Sequence, residues 1–279
     1  MTSVANIRTL GAGIGFRPAM QGELFLNRDA VDFLEVVADH YIDAPRVRLD
    51  ELSRLAAHFP VIPHGLNLSL GSADGLDDRY LKSLASIVEK VDPPYWSEHI
   101  AFTRAGGVDI GHLTPLPWTR ESLDVLTRNI AQAKRVVPAP VILENITYSL
   151  VLPGSEMTEA QFLTELVERT GCGLLLDVTN LYTNSVNFGF DPLEFMDGIP
   201  MECVVQLHFT GGHWDQEILI DSHSQRTPEG VWDLMDKVIR RAPVRGVILE
   251  RDENIPPFGE LVGEVERARG IGRRHNRWI

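Results

Sequence analysis

Gly173-Leu174-Leu175-Leu176-Asp177-Val178 is a short apolar run that ends on a carboxylate and starts just after Gly171, a residue suited to stop a helix. The segment before it, residues 159–170, has helical spacing, and Thr158 stands at its N-cap position. A second run of the same kind, residues 141–145, precedes that helix. A strand, a helix and a strand in this order predict a pair of parallel strands.

The same alternation extends over the whole chain. Eight short apolar runs lie at residues 10–16, 32–37, 61–67, 95–100, 141–145, 173–178, 203–209 and 246–251. Helical spacing marks residues 47–58, 80–91, 121–136, 159–170 and 228–240 between them. Eight parallel strands close a barrel, so we predict an α/β fold, a single-domain (β/α)8 TIM barrel. An open doubly wound sheet is the alternative.

Composition and charge limit the compartment and the partners. The 279 residues carry a formal net charge of −13, which argues against nucleic acid or an anionic membrane as partner. Cys172 and Cys203 are the only cysteines and form no C-x-x-C pair, so a disulfide framework and a thiolate zinc site are excluded. Residues 1–8 lack the pattern of an export signal, which predicts a cytoplasmic protein.

The glycine-rich start of the first run invites comparison with nucleotide-binding loops. In Gly11-Ala12-Gly13-Ile14-Gly15-Phe16, however, phenylalanine occupies the position of the third fingerprint glycine, and Arg17-Pro18 follows where a helix should begin. We therefore interpret these glycines as part of a tight first strand.

Ligand-type side chains stand at the predicted C-terminal ends of six successive strands, which share one mouth in a parallel barrel. They are His64, Glu98 and His99, Glu144 and Asn145, Asp177 with Asn180 just beyond, His208, and Glu250. The loop after the seventh run adds His213, Asp221 and His223. So many imidazoles and carboxylates exceed what one ion needs, which predicts two or three metal ions bridged by a carboxylate. The alternatives are hydrogen-bonded core histidines and carboxylates paired with arginine.

The C-terminal residues differ in charge from the rest of this acidic chain. Residues 267–279 contain Arg267, Arg269, Arg273, Arg274 and Arg277. We predict a basic C-terminal tail that follows a barrel domain of residues 1–266. The tail is either a solvated terminus or a docking strip in which Arg273 and Arg274 bind a peptide or a partner protein.

Several segments, taken in this order, resemble the multinuclear non-heme iron-dependent oxidases (MNIO family), and the resemblance spans nearly the whole chain. The segments are Gly13-Ile14-Gly15-Phe16-Arg17-Pro18, His64-Gly65-Leu66-Asn67, Ser97-Glu98-His99, Leu143-Glu144-Asn145, residues 173–180, residues 208–213, Ile220-Asp221-Ser222-His223, and Glu250-Arg251-Asp252-Glu253-Asn254. Arg251 departs from the aromatic residue that many relatives have between the glutamate and the aspartate.

The resemblance implies a TIM barrel that holds two or three iron ions, Fe2+ or Fe3+, with O2 as co-substrate. The implied metal ligands are His64, His99, Glu144, Asp177, His208, Asp221, His223 and Glu250. Asp252 and Asn145 are assigned catalytic roles, and Asn180, Glu98 and His213 are outer donors or further ligands.

The resemblance also implies an activity, the oxidation of a cysteine in a ribosomally synthesised precursor or carrier peptide, as in methanobactin-type and thiaglutamate-type systems. Candidate outcomes are excision of the β-carbon at a C-terminal cysteine, which we favour, oxazolone with thioamide, or thiooxazole. A separate peptide-recognition protein is implied, forming a heterodimer. The alternatives are a zinc- or manganese-dependent hydrolase or isomerase of the xylose-isomerase-like type, and a non-catalytic metal-binding scaffold.

Overall fold

In the computed structural model, which describes residues 7–278, eight parallel strands close into a barrel. The strands of the chain are β1 (Gly11–Gly15), β2 (Leu34–Val37), β3 (Val61–Gly65), β4 (Trp96–His99), β5 (Phe102–Ala105), β6 (Val108–Thr114), β7 (Val141–Glu144), β8 (Gly173–Asp177), β9 (Val204–Phe209), β10 (Gly211–Asp215), β11 (Ile218–Gln225) and β12 (Gly246–Leu249). The barrel order is β1-β12-β9-β8-β7-β4-β3-β2, and each of its strands lies within one predicted run. The TIM-barrel prediction is confirmed.

Helices connect the barrel strands and cover their outer face. They are α1 (Gln21–Leu26), α2 (Arg46–Ala56), α3 (Asp78–Val91), α4 (Arg120–Val136), α5 (Glu159–Thr170), α6 (Val178–Phe188), α7 (Pro192–Gly198), α8 (Glu229–Arg241) and α9 (Phe258–Arg274). The helix after β7 has the predicted signals. Thr158 and Gln161 form a reciprocal capping box, and Gly171 ends the helix with φ of 62°.

Two hairpins extend from the C-terminal end of the barrel, and neither is predicted from the sequence. β5 and β6 pair after β4, and β10 and β11 pair after β9. The second hairpin matters for the site because its second strand, β11, carries Asp221 and His223. The sequence places these two residues only in a loop.

The barrel interior has an apolar layer and a polar layer, because side chains along a strand point alternately inward and outward. The apolar layer includes Phe33, Ile62, Tyr95, Ile142, Leu175 and Ile248. Two positions further along the same strands come Glu35, His64, Ser97, Glu144, Asp177 and Glu250, all buried. β1 contributes Gly13, where a Cβ atom would lie 2.4 Å from the carbonyl oxygen of Phe33, so this glycine serves close packing. The polar layer faces the mouth.

Four of the five C-terminal arginines lie on the last barrel helix, and Arg277, which follows it, donates to the carbonyls of Ile239 and Arg240. α9 runs through the predicted boundary between residues 266 and 267. Arg269 is buried and donates to Asp32 (Nε to Oδ2, 3.1 Å) and to the carbonyl of Ala30 (3.0 Å). Arg273 and Arg274 are exposed in its last turn. Because α9 returns from the end of β12, this turn lies at the barrel end opposite the mouth.

Two further observations bear on the remaining predictions. Among residues 7–278, no helix has the length and hydropathy that crossing a membrane requires. Cys172 and Cys203 are both free thiols. Residues 1–6, which carry most of the export-signal interpretation, and Ile279 lie outside the described residues.

Candidate metal centre

The C-terminal end of the barrel opens into a cavity of about 400 Å³. The predicted site residues that line it are His64, His99, Glu144, Asn180, Asp221, His223, Glu250 and Asp252. Val37, Leu66, Leu113 and Ile146 add apolar walls. Asp177 and His208 are fully buried beside them. All eight predicted metal ligands are therefore brought to one end of the barrel.

A first ligand group consists of His64, His99 and Glu144, whose ligand atoms lie within 4.8 Å of one another. Nε2 of each histidine is 3.4 Å from Oε2 of Glu144. The other ring nitrogens are engaged outside the group, since Nδ1 of His64 contacts Ser97 Oγ at 2.8 Å and Nδ1 of His99 contacts the carbonyl of Gly65 at 3.1 Å. Both rings thus present Nε2 toward the shared carboxylate.

A second group consists of Glu144, Asp177, His208 and Glu250. Nδ1 of His208 lies 3.1 Å from Oε1 of Glu144 and 3.2 Å from Oε2 of Glu250. Oδ1 of Asp177 caps α6 by accepting from the backbone N–H groups of Thr179 and Asn180. Glu144 belongs to both groups, with Oε2 toward the first and Oε1 toward His208, which is the arrangement of a bridging carboxylate.

Asp221 and His223 extend the centre from the β10–β11 hairpin. Nε2 of His223 lies 3.0 Å from Oδ1 of Asp221, and Nδ1 lies 3.5 Å from Oε2 of Glu250. On the outer side, Nδ1 of His223 is 2.9 Å from Oδ2 of Asp252. Arg17 in turn donates to Asp252 through Nε (2.9 Å) and Nη2. Asp252 therefore orients His223, as carboxylates behind metal-binding histidines do.

Unsatisfied buried oxygens show that these residues fit metal ions. Glu144 Oε2, Asp177 Oδ2 and Asn180 Oδ1 are buried and have no hydrogen-bond partner within residues 7–278. A buried oxygen without a partner destabilises the protein unless a cation coordinates it. Imidazole and carboxylate donors without a thiolate suit iron, manganese or zinc. The chain thus offers at least two adjoining metal positions.

The charges of the centre shift the pKa values of its members in the metal-free protein. Burial lowers the pKa of His99, but Glu144 first and then Glu98 and Glu250 raise it overall to about 9. Burial raises the pKa of Asp177 to about 7, with Asp221 and Glu144 adding to the effect. At neutral pH His99 therefore carries a proton that a metal ion must displace.

We expect metal uptake to release protons and to strengthen as the pH rises toward 9. A histidine whose pKa is raised binds its proton more tightly, so the metal competes better only as the pH approaches that pKa of about 9. Titration calorimetry of the metal-free protein in buffers of different ionisation enthalpy measures the released protons. An affinity that levels off near pH 6.5, the ordinary pKa of histidine, would contradict this expectation.

Asn145 and His213 lie away from the cavity, whereas Glu98 lies beside a predicted ligand. Asn145 does not line the cavity, because its amide donates to the backbone carbonyl of Asp177 (3.1 Å) and accepts from its N–H (2.9 Å). It positions Asp177, and the geometry gives no support to a catalytic role. Glu98, predicted as an outer donor or a further ligand, has Oε1 3.5 Å from Nδ1 of His99. It also accepts from the backbone N–H groups of His99 and Leu68. His213 is exposed on β10 and contacts Ser222 Oγ at 2.9 Å.

Two buried polar residues of the barrel interior were missed. Oε1 of Glu35 lies 2.8 Å from Nε2 of His208, and Gln206 donates to Oε2 of Glu35 at 2.7 Å. The alternation of side chains along a strand could have identified Glu35, because Glu35 follows Phe33 by two positions as His64 follows Ile62. His40 also lines the mouth.

Solved structures resemble the chain in fold. D-psicose 3-epimerase from Clostridium cellulolyticum matches with a TM-score of 0.58 at 11% identity, over 95% of this chain and 98% of that one. Endonuclease IV from Thermus thermophilus matches with a TM-score of 0.57 at 15% identity, over 95% and 98%. At such identities the likeness concerns the barrel alone.

Sequence relatives and a family model are more specific. A "UPF0276 protein" from Rhizorhabdus wittichii is 40% identical over 95% of this chain and 96% of its own length. One from Streptomyces avermitilis is 42% identical over 96% of this chain, which spans 56% of that longer protein. The family model described as "RiPP precursor modification enzyme MbnB/TglH/ChrH" matches residues 11–273. The chain therefore belongs to the MbnB/TglH/ChrH family of enzymes that modify precursors of ribosomally synthesised peptides.

Proposed function

We propose that the chain is an iron-dependent oxidase that uses O2 to modify a cysteine residue of a ribosomally synthesised precursor or carrier peptide. The observation that carries the proposal is the pair of ligand groups that share Glu144 in the mouth of a family member. Two adjoining metal positions suit an oxidation that engages a substrate thiolate and O2 close together. Bound iron would supply the electron-transfer chemistry of that oxidation.

The chain's own residues would hold and enclose the reacting cysteine. Glu144 keeps the two metal positions adjacent, and Asp252 fixes the ring of His223. Leu66, Leu113 and Ile146 would form apolar walls around the bound cysteine. We further propose that the enzyme works in the cytoplasm, where reducing conditions keep a peptide cysteine as a thiol.

The experiment uses the full chain loaded with Fe2+ under anaerobic conditions, together with a cysteine-containing peptide encoded by a short open reading frame beside its gene. We expect O2 uptake and a mass change confined to the cysteine. Loss of one carbon would indicate β-carbon excision, whereas loss of hydrogen alone would indicate oxazolone or thiooxazole chemistry. Turnover without O2 would favour the zinc or manganese hydrolase or isomerase, and iron-loaded protein without turnover would favour the scaffold.

A partner protein is a further part of the proposal. Arg274 already pairs with Asp236 at 3.0 Å, and both Arg273 and Arg274 face solvent at the barrel end remote from the cavity. A protein bound there would hold the peptide's carrier segment rather than its reacting cysteine.

Changing Arg273 and Arg274 to serine should leave metal content unchanged, because neither side chain lies near the mouth, and should weaken association with an acidic partner or peptide. Pull-down and anisotropy measurements at several salt concentrations test this. Unchanged affinity would show that these arginines are only solvated.

A further inference from the structure

We propose that Glu35 is a positioning residue of the metal centre, which holds His208 with Nδ1 turned toward the metal ligands. The proposal rests on metal binding at the mouth and concerns a residue outside the ligand set. Glu35 is 2% exposed and lies on β2, in the polar layer of the barrel interior. It does not line the mouth.

Nε2 of His208 has two polar neighbours, Oε1 of Glu35 at 2.8 Å and Nε2 of Gln206 at 3.1 Å. Because the Gln206 amide also donates to Oε2 of Glu35, the shorter contact with the carboxylate favours a proton on Nε2. Nδ1 faces the opposite way, 3.1 Å from Oε1 of Glu144 and 3.2 Å from Oε2 of Glu250. With the proton on Nε2, the lone pair of Nδ1 is free for a metal ion.

Glu35 is itself held by a chain of hydrogen bonds that runs down the closed barrel. Nε2 of Gln206 donates to Oε2 of Glu35 at 2.7 Å, and the hydroxyl of Tyr95 donates to Oε1 of Gln206 at 2.6 Å. Tyr95 and Gln206 are fully buried. Because the tyrosine hydroxyl occupies the amide oxygen, the amide nitrogen is turned to Glu35. These hydrogen bonds therefore fix the carboxylate of Glu35 before any metal binds.

This series of hydrogen bonds has a clear role at a metal centre and none in forming the barrel. The layer of the interior that contains Tyr95 is otherwise apolar, so packing alone would favour apolar residues at positions 35 and 206. A carboxylate behind a ligand histidine sets the tautomer and the ring orientation and raises the basicity of the metal-binding nitrogen. Asp252 stands behind His223 in the same way.

Two variants separate the effect of side-chain length at position 35 from the effect of its charge. Glu35→Gln keeps the length of the side chain, and Gln206 can turn its amide so that the hydrogen-bonded chain forms again. Glu35→Asp keeps the charge but withdraws the carboxylate from Nε2 of His208 by one methylene group. We expect Glu35→Asp to bind Co2+ about 10- to 100-fold more weakly at the position that contains His208, and Glu35→Gln to stay closer to the parent.

The measurement is titration of the metal-free full chain with Co2+, followed by ligand-field absorption, with the imidazole count taken from X-ray absorption. Glu51→Asp is the control, because Glu51 is also buried but pairs with Arg48 on α2. Loss of one imidazole per chain in Glu35→Asp, with Glu51→Asp unchanged, supports the proposal. The parent's affinity and imidazole count in Glu35→Asp overturn it. Because Co2+ binding needs neither O2 nor peptide, failure of the oxidase proposal leaves this test intact.

Discussion

Replacing Glu144 with alanine should remove metal from both ligand groups at once and abolish activity. Glu144 directs Oε2 to His64 and His99 at 3.4 Å and Oε1 to His208 at 3.1 Å, so no other single side chain serves both groups. Without it each position loses a charged ligand, and we expect metal affinity to fall by at least about 100-fold.

The fold should survive this change, because the apolar layer and the helices that cover the barrel lie away from the mouth. Metal content per chain after Fe2+ loading, with circular dichroism to confirm folding, measures the effect. His99→Ala should affect the first group more than the second. Glu51→Ala is the control, since Glu51 is also a buried glutamate but pairs with Arg48 on α2, outside both ligand groups. Full metal content in folded Glu144→Ala would remove Glu144 from the ligand set.

Arg269→Ala should destabilise the whole protein by about 1.5–3 kcal/mol, because it removes a buried guanidinium and leaves Asp32 and the carbonyl of Ala30 without their donor. The guanidinium of Arg269 joins α9 to Asp32, just before β2, and its side chain is 6% exposed. Urea unfolding followed by circular dichroism gives the change in the free energy of unfolding.

Arg274→Ala is the control for this prediction. Arg274 lies one turn further along α9 and pairs with Asp236, but its side chain is 63% exposed, so its loss should cost less than about 1 kcal/mol. Equal and small effects of the two substitutions would mean that the end of α9 contributes little to the barrel. A separable basic tail would then again be the better description.

The barrel was predictable from the sequence because each of its strands is a short apolar run and helical spacing follows five of the eight runs. α9 was not, because glycines at positions 259, 263, 270 and 272 lower its helix propensity and its arginines resemble those of a solvated terminus. One of these glycines is explained by packing alone. A Cβ atom on Gly272 would lie 1.9 Å from the ring of Trp278, a contact between residues that local spacing does not reveal.

The sequence predicted which residues form the site but not which ligand group each of them joins. Strand ends brought His64, Glu144 and Glu250 to one mouth because parallel strands share a direction. Which carboxylate serves two groups depends on side-chain rotamers and on the order of strands around the barrel. Asn145 shows the limit, since a polar residue next to a ligand can bind the neighbouring strand's backbone instead of facing the cavity.

The most direct test of a shared metal centre is the metal content of the full chain expressed with iron supplementation, measured by plasma mass spectrometry and paired with Mössbauer spectroscopy of a sample enriched in iron-57. We predict two or three iron ions per chain, coupled to one another through the carboxylate of Glu144 that both ligand groups share. A single zinc ion per chain, or iron ions without magnetic coupling, would contradict this prediction.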